Sequence, residues 1–201
     1  YHKGGDDLAH QIHLFQAEDW TNIGRHLAFR DFLRTHAEER EAYARLKKEL
    51  ALRFPWNIEG YLDGKDAFVR EMEERALALF DGTWDKLYLA ARRVQQERRL
   101  SPLVEAGSVA AALLSKQGSI YVGVCIDTAC SLGMCAERNA IASMITHGES
   151  IIRKILAVQL DGSIVLPCGV CRECMRQLGN TAGETEILCD YETKRVLQLK
   201  E

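Results

Sequence analysis

Apolar and polar positions change rhythm near residue 80 of this 201-residue chain. AHQIHLFQA (9–17) partly alternates and predicts a strand. Three helical stretches follow. DWTNIGRHLAFRDFLRT (19–35) opens on Asp19 or Thr21 as a cap. AEEREAYARLKKELALRF (37–54) sets Tyr43, Leu46 and Leu50 on one face and is ended by Pro55. GKDAFVREMEERALALF (64–80) stripes Phe68, Met72, Ala76 and Leu79 along one side, and Asp81-Gly82 predicts a break. WDKLYLAARRVQQERR (84–99) predicts a further helix, and strands and helices alternate from there on.

GSVAAALLSKQGSIYVGVCID reads as two strands joined by a turn at 116–119. CAERNAIASMITHG predicts a helix closed by Gly148, IIRKILAVQL a buried strand and GVCRECMRQLG a short helix ending on Gly179. ETEILCD and KRVLQLK predict short strands. The expected division is a mostly helical part over 1–80 and an α/β part with a mixed sheet between helices over 81–201. No internal repeat or low-complexity tract interrupts it.

Composition narrows the partners. A net charge of −3 without a basic stretch argues against nucleic acid. The longest apolar run, VAAALL (109–114), is too short to span a bilayer, so no membrane partner is expected. All seven cysteines fall between Cys125 and Cys189, an odd number with C-x-x-C spacing. That pattern fits metal-binding or catalytic thiols in a reducing, cytoplasmic setting better than a disulfide framework. The chain opens on Tyr1 rather than methionine, which leaves room for an upstream segment.

Two stretches carry candidate chemistry: MCAERNAI (134–141) and LPCGVCREC (166–174). Cys168 and Cys171 lie three apart at the mouth of a helix, about 60° apart around its axis, so both reach one ion. The positive end of the helix favours their thiolates. Cys135, at the start of the other helix, supplies a third sulfur for zinc. Three protein ligands leave one position open, as in catalytic rather than structural zinc sites. Glu137 is then a candidate proton shuttle. Residues two apart on a helix point about 200° apart. Cys135 and Glu137 therefore share a site only if Cys135 is the cap, outside the helical angles.

Cys135-Ala136-Glu137 with Pro167-Cys168-Gly169-Val170-Cys171 resembles the paired signature of zinc nucleobase deaminases. CAER followed by NAI, together with PCGVCR, is similar to the free-nucleoside cytidine deaminases that hold zinc through three cysteines. The resemblance runs from about residue 84 to the end. It implies a three-layer α/β/α sandwich, Zn²⁺ as the one cofactor, a small-molecule nucleoside substrate and a homo-oligomer, tetramer or dimer. It also implies zinc-bound hydroxide as nucleophile, Glu137 moving its proton, and the Ala136 backbone touching the base. Arg138 matches the family's arginine that offsets the negative charge of three thiolates on Zn²⁺, with a surface salt bridge as its alternative.

The family holds ribose hydroxyls with an asparagine and a glutamate on the second strand, and Cys125 and Asp127 fall at those positions. Thiol and shorter carboxylate are poorer partners for ribose. SVAAALLSKQGSIYVGV is similar to the deaminases that inactivate the antibiotic blasticidin S. Weak turnover of cytidine and better turnover of a modified cytosine nucleoside are therefore expected.

Bland roles are expected elsewhere. Cys174 is rotated about 120° from Cys168 and reads as an idle thiol. Cys125, Cys130 and Cys189 otherwise read as core, His147 as a solvated helix-end residue and Tyr121 as packing on a sheet face. His10 and His13 fall on opposite faces of the expected strand, which argues against a metal pair. HLAFRDFLRTH, EAYARLKKELA and YLDGKDAFVREM resemble the C-terminal part of GrpB-family proteins, relatives of nucleotidyltransferases, and a helical packing module is the expected role. Competing functions are a zinc-stabilised adaptor without turnover and a GrpB-linked nucleotidyl transfer.

Overall fold

The computed structural model describes residues 2–3, 10–16 and 19–200. The chain separates into two compact units, Tyr1–Gly82 and Thr83–Glu201.

In the first unit, β1 (His2–Lys3) pairs antiparallel with β2 (His10–Gln11). The strand expected over 9–17 is confined to those two residues of it, with 9 and 17 outside the described residues. Residues 12–16 have no regular structure. His13 is therefore not a strand residue, and its ring packs against Phe15 and His26. Helices α1 (Trp20–Thr35), α2 (Ala37–Arg53) and α3 (Ile58–Leu79) follow. Asp19 caps α1 by accepting from the Asn22 backbone N–H at 3.2 Å. The core is Ala28 and Phe32 of α1 against Met72 and Ala76 of α3.

Helix α3 starts six residues before the expected position. Asn57 caps it, its side chain accepting from the Gly60 N–H at 3.0 Å. The signal for that first turn is masked by Gly60 and Gly64, which weaken helix propensity. Gly64 is there for packing, because a Cβ would come within 2.4 Å of Leu50 Cδ2.

The second unit opens with α4 (Thr83–Val94), β3 (Arg98–Ser101), β4 (Val104–Ser115) and β5 (Ile120–Thr128). Next come α5 (Ala136–Thr146), β6 (Ile152–Val158), β7 (Ile164–Val165) and α6 (Gly169–Arg176). A 3₁₀ turn at Ala182–Glu184 leads to β8 (Glu186–Asp190) and β9 (Arg195–Gln198). The helix expected over 84–99 ends at Val94, and its last residues instead pair with the start of β4. Tertiary pairing overrides the helical propensity of that polar run.

The seven strands form one mixed sheet in the order β3-β4-β6-β8-β9, with β5 on β4 and β7 on β6. Only β6 and β8 run parallel; the other pairs are antiparallel. Alternate residues of β4 and β6 explain the continuous apolar runs. Ala110, Ala112, Leu114, Leu156 and Val158 pack against Trp84, Leu87 and Ala91 of α4. Ala111, Leu113, Ile155 and Ala157 pack against α5 and α6 through Ala140, Ile141, Met144 and Met175. The result is three layers, helix on sheet on helices, as the fold class expected.

Gly123 sets the distance between the sheet and α5. A Cβ there would lie 2.3 Å from the Ala140 nitrogen and 2.6 Å from the Ala136 oxygen. Without a side chain, the first turn of α5 rests directly on β5. Asn139 Nδ2 donates to the Val124 carbonyl at 2.6 Å and fixes the same contact.

Candidate active site

Two helix N-termini meet at one end of the sheet, and each is capped by a cysteine. Cys135 is the N-cap of α5 with φ −65° and ψ 152°, and Cys168 the N-cap of α6 with φ −65° and ψ 169°. Both are extended rather than helical, so Cys135 and Glu137 face the same space without the divergence a regular helix would impose.

Cys171, within α6, is fully buried. The Cys135 and Cys168 sulfurs are 3.7 Å apart, Cys168 and Cys171 3.5 Å, and all three lie within 4.8 Å of one another. None of the seven cysteines is in a disulfide. A tetrahedral zinc with sulfur at about 2.3 Å requires sulfurs about 3.8 Å apart, so the donor set fits that ion. Among the described residues no other group of three His, Cys, Asp or Glu side chains is placed to hold one ion. Cys174 is outside the trio and packs, half-buried, against the α5 core.

Burial raises the pKa of the Cys171 and Cys135 thiols. The Cys171 backbone N–H, aimed at the Cys168 sulfur from the first turn of α6, lowers that of Cys168. Glu137 is 4% exposed, and its burial raises its pKa above the ordinary carboxylate range.

The half-buried Arg138 side chain donates from one terminal nitrogen to the Gly133 carbonyl at 3.2 Å, and its Nε is buried without a hydrogen-bond partner. Among the described residues it forms neither an ion pair to a carboxylate nor a hydrogen bond to sulfur. Its charge nonetheless acts on Glu137, partly opposing the effect of burial.

A cavity of about 370 Å³ opens beside these groups, lined by Cys135, Ala136, Glu137 and Cys168. Ser108 and Val109 of β4 and Cys125 to Thr128 of β5 also line it. Among the described residues no lysine, arginine or histidine lines it. Cys125 is buried and is held by three groups: Ser108 Oγ at 3.1 Å, the Val109 backbone N–H at 3.3 Å and Asp127 Oδ2 at 3.4 Å. Asp127 is exposed to the cavity. The loop 129–133 closes the rim, pinned by paired backbone hydrogen bonds of 2.9 Å between Ile126 and Met134.

Cys130 lies on that loop and is exposed, not core, because the chain has left β5 at Thr128. The Leu132 backbone N–H and the Thr128 hydroxyl lower its pKa. Cys189 is only half-buried, in β8. His147 is exposed at the end of α5, Nδ1 2.8 Å from the Ser143 carbonyl. Tyr121 packs on the α5 face and donates to Glu149 at 2.7 Å. Ser108 and Val109 escaped the sequence reading, although the glycine before them signals a bulge in a strand.

Residues 83–183 match the family model described as the cytidine and deoxycytidylate deaminase zinc-binding region. Residues 1–75 match the GrpB protein model. UPF0157 protein YqkA of Bacillus subtilis is 41% identical over 76 residues, which are 38% of this chain and 22% of that protein. A probable cytidine deaminase of Dictyostelium discoideum is 34% identical over 83 residues, 40% of this chain and 54% of that protein. The chain thus spans between about a fifth and about half the length of these relatives. A crystal structure of cytidine deaminase from Mycobacterium leprae aligns with a TM-score of 0.49 at 25% identity, covering 59% of this chain and 95% of that one.

Proposed function

The chain belongs to the cytidine and deoxycytidylate deaminase zinc-binding family, and from that membership we propose that it is a hydrolase that removes the exocyclic amine of a cytosine nucleoside. The observation that carries the reading is the sulfur trio of Cys135, Cys168 and Cys171 beside a buried Glu137 at the floor of an open cavity. The three cysteines would hold zinc, which would supply the Lewis acidity that makes a water nucleophilic near neutral pH.

The residues of the chain do the rest. Glu137 takes one proton from the attacking water and delivers it to the ring nitrogen, then takes the second from the hydroxyl left on the ring carbon and gives it to the departing amine. Water adds to the amine-bearing carbon, the carbon–nitrogen bond breaks, and ammonia and a uracil-type ring are released. The raised pKa of Glu137 suits both directions of transfer. The Ala136 backbone, fixed against β5 by the absence of a side chain at Gly123, borders the base. Arg138 brings positive charge to the first turn of α5, against the net negative charge of three thiolates on a dication.

A nucleoside is favoured over a nucleotide because, among the described residues, no cationic side chain lines the cavity to meet a phosphate. On the sugar side stand Cys125 and Asp127. The thiol is already engaged by Ser108, Val109 and Asp127, which leaves it little capacity for a ribose hydroxyl. The reading is therefore a cytosine nucleoside with a modified sugar, with cytidine a weak substrate. Leu132 and Leu166, 81% and 54% exposed at the rim, suit a surface covered by a second copy in a homo-oligomer. The GrpB-like unit, with its own small core, enters as a packing module. Ammonia release by the zinc-loaded protein, measured on a panel of cytosine nucleosides, tests the reaction. Release from none of them refutes it.

A further inference from the structure

Strand β4 changes neighbours halfway along its length. Residues 104–106 pair with β3 on one side, whereas 110–115 pair with β6. Between them lies an irregularity at which the register with β5 also shifts. Gly107 makes the bend at φ +86°, and a Cβ there would lie 2.0 Å from the Gln96 carbonyl oxygen. The backbone groups of the bulge need partners outside the ladder.

Gln95 supplies one of them. Its Nε2 donates at 2.9 Å to the Ser108 carbonyl and at 2.9 Å to the Val158 carbonyl, where β6 ends. Its Oε1 accepts from Arg92, which also reaches the Gln159 and Leu160 carbonyls. One amide thus ties the bulge to β6. The other side of the bulge faces the cavity, where Ser108 Oγ and the Val109 N–H both hold the Cys125 sulfur.

We infer that Gln95 is a positioning residue: outside the cavity, it fixes the β4 bulge and, through Ser108 and Val109, the Cys125–Asp127 wall that meets the sugar of the substrate. The inference rests on the nucleoside-deaminase reading for its substrate, but the geometry of the wall is testable without turnover. The zinc trio and Glu137 lie on the α5 and α6 side, so their chemistry does not pass through Gln95.

Two variants of the full zinc-loaded chain test it. Gln95→Leu removes both donors; Gln95→Glu keeps the length and the acceptor for Arg92 but offers no N–H. Two hydrogen bonds of ordinary net worth correspond to a factor of about ten or more in local opening. Alkylation of Cys125, located by mass spectrometry under native conditions, is expected to speed up by about that factor in both variants, with zinc content unchanged. KM for the best nucleoside of the panel should rise by a similar factor while kcat stays within about threefold. Unchanged Cys125 labelling in both folded variants overturns the inference and leaves deamination standing. A loss confined to kcat overturns it as well. Faster labelling in a protein that deaminates nothing would sustain the wall and refute the reaction.

Discussion

Gly123→Ala is the sharpest test of how the sheet positions the chemistry. The new Cβ would sit 2.3 Å from the Ala140 nitrogen, 2.6 Å from the Ala136 oxygen and 2.7 Å from the Asn139 carbonyl carbon. All three are backbone atoms of one helix, so no side-chain rotation relieves the clash. To regain an ordinary 3.4 Å contact, α5 must withdraw from β5 by about an ångström. Overpacking of this kind costs about 1–3 kcal/mol of stability. The displacement also carries Cys135 and Glu137 away from Cys168 and Cys171, which ride on α6. A misplacement of that size costs about a hundredfold in rate. Urea unfolding, zinc stoichiometry and ammonia release on the same preparation measure the three effects. Gly169→Ala is the control, since it sits next to a proposed ligand in α6 but meets nothing within 4 Å. Its stability should be unchanged or raised by up to about 1 kcal/mol. Equal behaviour of the two variants in all three measurements would refute the positioning argument.

Replacing Cys135, Cys168 or Cys171 by alanine should abolish zinc binding and lower stability, because the proposed ion would fasten α5 to α6. Cys174→Ala should keep the metal, and elemental analysis showing the reverse would overturn the ligand set. Glu137→Gln should retain zinc and fold but lose turnover by about 10²–10⁴-fold or more. Full activity in that zinc-loaded variant would remove Glu137 from the mechanism. Cytidine should be processed well below roughly 10⁵ M⁻¹s⁻¹ in kcat/KM, with a sugar-modified cytosine nucleoside above it. Steady-state kinetics on both decide, and efficient cytidine turnover would sink the substrate argument while leaving the zinc chemistry intact.

Much of the α/β unit was legible because its sheet is buried on both faces. VAAALL is an unbroken apolar run in a strand whose even residues meet α4 and whose odd residues meet α5. Burial on two sides erases the alternation of a one-sided strand but leaves length and turn signals readable. What could not be read locally was set by distant partners. Arg98 and Arg99 continue a helical pattern in sequence and enter β3 only because β4 offers them an edge. Ile164–Val165 is too short for any periodicity and exists as β7 through its pairing with Ala157 and Val158.

The candidate site divides along the same line. Its zinc-facing half sits on two helix caps, and caps are written in short local strings: CAE at one, PCGVC at the other. Two such strings suffice because the N-terminus of a helix has one geometry wherever it occurs. The sugar-facing half is built differently. It depends on a bulge, on the neighbour that β4 exchanges there, and on a glutamine whose amide spans from Ser108 to Val158. Cys125 was visible as a departure from an asparagine, but the sequence did not tell that its sulfur would be consumed by the bulge. That difference has a chemical consequence. If the chain deaminates a nucleoside as proposed, a change at the caps should alter whether the reaction proceeds, and a change at the bulge what is admitted to it. Gly107 follows from the second rule, because any side chain there would strike the Gln96 carbonyl and move the wall. On the proposed nucleoside reading, substrate preference would follow less from the residues that touch the nucleoside than from the backbone detour that aims them.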